Sequence, residues 1–150
     1  MTPHLSTTSR WTDPDAVPWI PMGPGKWFKP LRFLREDRGR VLLLRLEPGT
    51  GFGRHRHTGE VHGTTLQGKR KLCTGEIIGP GGYVYEPPGN VDSWGAVGDA
   101  ETIVHVVAYG AVEYLDREDR VVERYSASTQ YEVYRRHCEE HGIAVVDLFE

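Results

Sequence analysis

His55 and His57 stand two residues apart in Gly51-Phe52-Gly53-Arg54-His55-Arg56-His57, and His62 follows five positions later. In an extended strand, residues i and i+2 project from the same face, so the imidazoles of a His-x-His pair converge on one ion without distorting the backbone. A second segment, from Gly81 through Pro87-Pro88-Gly89-Asn90-Val91-Asp92, ends in a carboxylate about one strand pair further on. Two neutral imidazoles and one carboxylate on one side of a metal leave its other side open. Non-heme Fe(II) oxygenases use that donor set to hold a substrate beside O₂. The spacing predicts a metal site made of His55, His57 and Asp92; with His62 included, the set becomes three histidines and one aspartate. Glu60, Thr64, Glu86, Trp94 and His105 lie on or beside the same strands and rank next, as groups that could orient a polar substrate. Of these, Glu60 and His105 join Asp92 as the candidate catalytic residues.

Each of these residues also has a plainer use. His55 and His57 could be a solvated strand pair, and His62 could open the next strand hydrogen-bonded to a neighbour. Asp92 follows a Pro-Pro-Gly turn, where aspartate commonly bonds local backbone amides. His105, inside Thr102 to Tyr109, has the setting of a satisfied core histidine. His137 and His141 are spaced i, i+4, but Cys138 stands where a helical zinc motif carries its glutamate, and the pair better complements a helix C-terminus. Tyr131 and Tyr134 read as packing, and Lys69-Arg70-Lys71 as a solvated strand.

Short strands must position this chemistry. Among 150 residues, 18 glycines and 10 prolines punctuate runs of alternating or β-branched residues, the pattern of an all-β barrel or sandwich. Strands are predicted over Trp27 to Leu34, Val41 to Leu46, Phe52 to His57, Val61 to Leu66, Lys69 to Thr74, Gly82 to Glu86, Thr102 to Tyr109 and Ala111 to Leu115. Pro3, Pro14, Pro18, Pro21 and Pro24 mark the segment before Lys26 as an extended arm, because proline cannot serve a central ladder. Trp11, Val17, Trp19 and Ile20 put apolar surface on that arm, which predicts a homodimer. One helix is expected over Thr129 to His141, with a Thr129-x-x-Glu132 capping box, a face of Tyr131, Tyr134 and Cys138, and Gly142 as its stop. The division is an arm over 1–25, a single β domain over 26–125, and a helix with its tail over 126–150.

The net charge of −3, with both signs interleaved, offers no basic stripe to nucleic acid and no cationic amphipathic helix to a membrane. A small-molecule substrate is the expected partner. No run has signal-peptide or membrane-spanning character, so a cytoplasmic location is expected. Cys73 and Cys138 lie far apart, without CxxC spacing, and both are expected to be buried thiols.

The run Gly49-x5-His55-x-His57-x4-His62, followed by Gly81-x5-Pro87-x-Gly89-x2-Asp92, resembles the paired signature motifs of the cupin superfamily. The wider wording PWIPMGPGKWFKPLRF, LLLRLEPGTGFGRHRHTGEVHGTTLQGK and GPGGYVYEPPGNVDSW is similar to small bacterial cupins grouped with 2,4'-dihydroxyacetophenone dioxygenase and acetylacetone dioxygenase. The likeness runs from about Pro18 to Tyr114. It implies a double-stranded β-helix, or jelly-roll barrel. It also implies non-heme iron held by the His-x-His pair, here His55 and His57, and by the last residue of the second motif. That last position holds Asp92 in place of histidine, and His62 stands where many cupins carry glutamate, so carboxylate and imidazole are exchanged. The activity implied is oxidative cleavage of a carbon-carbon bond next to a carbonyl in a small aryl ketone or diketone, with Fe(II) as the first choice of metal and Mn, Ni or Zn as alternatives. Two other classes stay open. One is a non-oxidative cyclase, isomerase or lyase with Asp92 moving a proton. The other is a metal or ligand sensor, resembling the cupin half of some anti-sigma factors.

Overall fold

The computed structural model describes residues 8–149; the first seven residues of the arm lie outside them. Twelve strands occur among the described residues. They are β1 (Ile20–Gly23), β2 (Lys26–Leu34), β3 (Gly39–Leu46), β4 (Gly51–His57), β5 (Val61–Gln67), β6 (Lys69–Leu72), β7 (Ile77–Ile78), β8 (Tyr83–Glu86), β9 (Val91–Val97), β10 (Thr102–Tyr109), β11 (Val112–Leu115) and β12 (Val121–Tyr125). They form two six-stranded sheets, ordered β1-β2-β3-β10-β5-β8 and β12-β11-β4-β9-β6-β7. Their pairings are antiparallel. The two leaves face each other as a jelly-roll sandwich.

Alternation sets the inner face. On β10, Thr102, Val104, Val106 and Ala108 are buried and their neighbours are not; on β9 the buried set is Asp92, Trp94 and Ala96. Leu46, Phe52, Val61, Trp94, Val104 and Val106 form the core between the leaves. β4 departs from strict alternation. Its register against β9 shifts between Phe52 and His55, and that irregularity returns His55 and His57 to the inner face that Phe52 occupies.

A second core lies under the helix α1 (Ala127–His141), where Phe33 meets Tyr131, Tyr134 and Phe149 at ring-centroid distances of 5.5, 6.2 and 5.6 Å. Val17 and Ile20 belong to this core, so the arm's apolar residues fold back on their own chain, while Trp11 stays exposed. The arm also supplies β1, an edge strand, which is where Pro21 is tolerated. The helix begins earlier than expected. Ser126 is its cap and pairs reciprocally with Thr129, whereas Glu132 pairs with Arg135. Gly142, at φ 65°, ends it in the left-handed conformation. Cys138 is buried, but Cys73 is exposed, because it sits in the loop after β6.

Candidate metal centre

Three side chains from both leaves meet in the interior. β4 contributes His55 and His57, and the last residue of β8 contributes Glu86. One ligand atom from each lies within 4.8 Å of the others, and all three residues are buried. The rings of His55 and His57 stand 5.0 Å apart and nearly perpendicular, at 89°.

Neighbouring groups hold the donors in place. His55 Nδ1 lies 2.7 Å from the carbonyl oxygen of Gly53. That contact fixes the tautomer with hydrogen on Nδ1 and leaves Nε2 with a free lone pair. His57 Nδ1 is buried without a hydrogen-bond partner, so this ring is not committed to the protein's own bonding. Burial, with coulombic effects of His55 and Arg40 adding to it, pushes the His57 imidazole down to about 3, which keeps the ring unprotonated, as a metal ligand must be. Asn90 Nδ2 donates to Glu86 Oε1 at 2.9 Å. Burial raises the Glu86 carboxyl above its ordinary value, opposed by that bond. The donor set therefore fits a divalent ion: two imidazoles and one carboxylate, with an oriented outer shell.

A cavity of about 60 Å³ opens beside these donors, walled by Leu42, Leu44, Phe52, Trp94, Val106 and Tyr114. A second, of about 270 Å³, adjoins it and shares Met22, Phe52, Tyr114, Tyr125 and Gln130. Arg40 and Arg70 also line the first. Arg40 is buried and donates to Gln130 Oε1 on α1 and to the Gly110 carbonyl; burial holds its guanidinium down to about 10. The Tyr114 hydroxyl is pushed up to about 12, chiefly by burial, and stays a neutral donor.

The structure brings His55 and His57 together as the spacing suggests, but gathers Glu86 with them and not His62. On β5 the buried residues are Val61, Gly63 and Thr65, so His62 points to the outer face. There its ring lies 5.9, 5.6 and 6.3 Å from those of Tyr83, Tyr85 and Tyr109. Glu60 follows it outward, 3.7 Å from His62 Nε2. His105 falls on the same outer side of β10, in register with Leu43 and Thr64. Asp92 is buried directly opposite His55 in the β4–β9 ladder. Its Oδ1 accepts from the Ser93 amide at 2.8 Å. That is the local role an aspartate after a Pro-Pro-Gly turn commonly takes. Arg70 corrects the picture of a solvated basic strand: it is 3% exposed between exposed Lys69 and Lys71. The alternation of β6 alone could have signalled that its central residue faces in.

No curated protein matches the chain significantly. Among solved structures, an RmlC-like cupin protein of Ralstonia eutropha JMP134 superposes with a TM-score of 0.85 at 26% identity, covering 92% of each chain. An acetylacetone dioxygenase of Acinetobacter johnsonii gives 0.75 at 14% identity, over 91% of this chain and 96% of that one. The anti-sigma factor ChrR of Rhodobacter sphaeroides, in complex with SigE, gives 0.55 at 20% identity, over 63% of this chain and 50% of its own. The sequence model of the ChrR cupin-like domain matches residues 7–113. That span covers the strands carrying His55, His57, Glu86 and Asp92, and the chain belongs to this family of cupins.

Proposed function

We propose that the chain is a metal-dependent dioxygenase that cleaves the carbon-carbon bond beside a carbonyl in a small aryl ketone or diketone, with Fe(II) held by His55, His57 and Glu86. The observation that carries this reading is the convergence of two imidazoles and one carboxylate on a cavity walled mainly by apolar side chains. When bound, the iron supplies Lewis acidity toward the substrate's oxygens and a redox couple for O₂. The protein supplies the rest. Phe52, Trp94, Leu42 and Val106 exclude water and give an aromatic or alkyl group a dry surface. Gly53 and Asn90 fix the His55 ring and the Glu86 carboxylate, so that little reorganisation accompanies substrate binding. Tyr114, neutral and beside the His55 ring at 5.5 Å, is placed to donate to a substrate oxygen. Both atoms of O₂ end in the two carbonyl products. The likeness to an acetylacetone dioxygenase supports the reaction class, at the level of fold.

A second reading follows from the family match: a ligand- or metal-responsive domain without turnover, like the cupin part of ChrR. An oxygen electrode separates the two. Protein purified without a histidine tag and loaded with Fe(II) is expected to consume O₂ with 1-phenyl-1,3-butanedione, and His57→Ala to abolish uptake together with metal. Stoichiometric Fe(II) without O₂ uptake across a panel of aryl ketones and diketones would favour the responsive domain. Turnover that survives chelation and anaerobiosis would favour a non-oxidative enzyme.

A further inference from the structure

Arg70 enters the cavity from β6, on the leaf that carries His55 and His57. Its guanidinium carbon lies 4.8 Å from the centre of the Trp94 ring, which fixes the plane of the group. Gly63 leaves room for it on the facing leaf, since a Cβ there would come within 2.9 Å of Nη2. Arg70 Nε is nevertheless buried without a hydrogen-bond partner, and the carboxylates of Glu86 and Asp92 act on it through space. A buried cation left in this condition is costly unless something else pairs with it. Arg40, buried on the other leaf, already has Gln130 and the Gly110 carbonyl.

Arg40 and Arg70 balance Glu86 and Asp92, so the interior is neutral before a metal enters. A divalent ion leaves it with two excess positive charges, and Glu86 is then shared with that ion. A neutral ketone leaves that excess untouched, whereas a substrate carrying one carboxylate halves it.

We propose that Arg70 is a substrate-binding residue that pairs with a carboxylate on the substrate, so that the cavity takes small ketones that also carry a carboxylate in preference to neutral ones. The proposal rests on the reading of this cavity as the substrate site, but not on the identity of the metal. Arg70 presents a planar fork suited to two parallel bonds with a carboxylate. The adjoining cavity of about 270 Å³ has room for an aromatic ring, as a cavity of about 150 Å³ already takes benzene.

The test uses the full chain, metal-free and then loaded with Zn(II), titrated calorimetrically with benzoate and with its neutral isostere benzamide. Zn(II) binding and thermal unfolding are measured in parallel. Benzoate is expected to bind the Zn(II)-loaded protein at least about tenfold more tightly than benzamide, and with a smaller preference when metal-free. Arg70→Gln is expected to erase that preference while keeping Zn(II) affinity and the unfolding transition. A preference that survives Arg70→Gln, or is absent from the unmodified protein, overturns the proposal. A preference that appears only with Zn(II) and persists in Arg70→Gln puts the carboxylate on the metal, which overturns the Arg70 role and leaves the metal centre standing. Absence of Zn(II) binding, read separately, removes the metal reading alone. Should Arg70→Gln fail to fold, Arg70→Lys keeps the charge but loses the fork and is expected to reduce the preference severalfold; an unchanged preference overturns the proposal.

Discussion

Acidifying the metal-free protein isolates His57. Its imidazole stays neutral in the fold down to about 3, whereas the unfolded chain takes a proton near the ordinary value of 6.5. Between those values the unfolded state binds the extra proton. The stability tied to this group is therefore complete above about pH 6.5 and is lost as the pH falls toward 3. A tenfold change in ionisation is worth about 1.4 kcal/mol, so the loss amounts to roughly 3 kcal/mol at pH ~4.5 and approaches about 5 kcal/mol below both values. Urea unfolding at about pH 7 and about pH 4.5 measures it when the protein is compared with His57→Gln, whose side chain does not titrate. Other acids contribute to both proteins and cancel in the double difference to the extent that they act independently. The unmodified protein is expected to lose roughly 3 kcal/mol more than the variant over that interval. Equal losses, within about 0.5 kcal/mol, would refute the claim that burial holds this ring neutral.

Glu86→Gln keeps the side chain's shape but removes its charge, and is expected to weaken Zn(II) or Fe(II) binding more than Asn90→Ala. The latter, by losing the orienting bond, should weaken binding by about 10- to 100-fold, read by competition with a chromogenic chelator. Phe33→Ala, at a fully buried ring among Tyr131, Tyr134 and Phe149, is expected to cost about 3–5 kcal/mol in denaturant unfolding; a loss below about 1 kcal/mol would show that α1 contributes little to the fold.

The His-x-His pair was legible because two-residue periodicity decides which side chains share a face, and the helix because its apolar spacing and terminal glycine are local signals. A candidate ligand supplied from another strand is not legible in that way. Glu86 stands beside His55 and His57 only because β8 pairs with β5 at Val61↔Glu86, on the opposite leaf. His62 shows the converse. The turn at Thr58-Gly59 separates β4 from β5, and the face His62 takes is set by its pairing with Val107 and Tyr85 across the sheet. β9 escaped the strand pattern because Asp92, Ser93 and Gly95 interrupt its apolar positions, although Trp94 and Ala96 alternate inward. Arg70 was hidden by its neighbours: three consecutive cations look solvated until alternation turns the middle one in. The first strand was read as part of the arm because Pro21 excludes a central ladder but not an edge.

His55 and His57 stand on one leaf of the sandwich, whereas Glu86 ends the edge strand of the other. Elsewhere in the core between the leaves, contact is mainly apolar and sets no direction. An ion shared by these three donors would be a directional rivet through both layers, so that occupancy and closure become one equilibrium. A ligand that binds only the folded state adds about 2.7 kcal/mol at a hundredfold excess over its dissociation constant. The edge around β8, held by the pairs from Val61↔Glu86 to Thr64↔Tyr83, would then open more readily as the metal runs short. Metal scarcity would be written into the protein's lifetime, through unfolding and proteolysis, as well as into its chemistry.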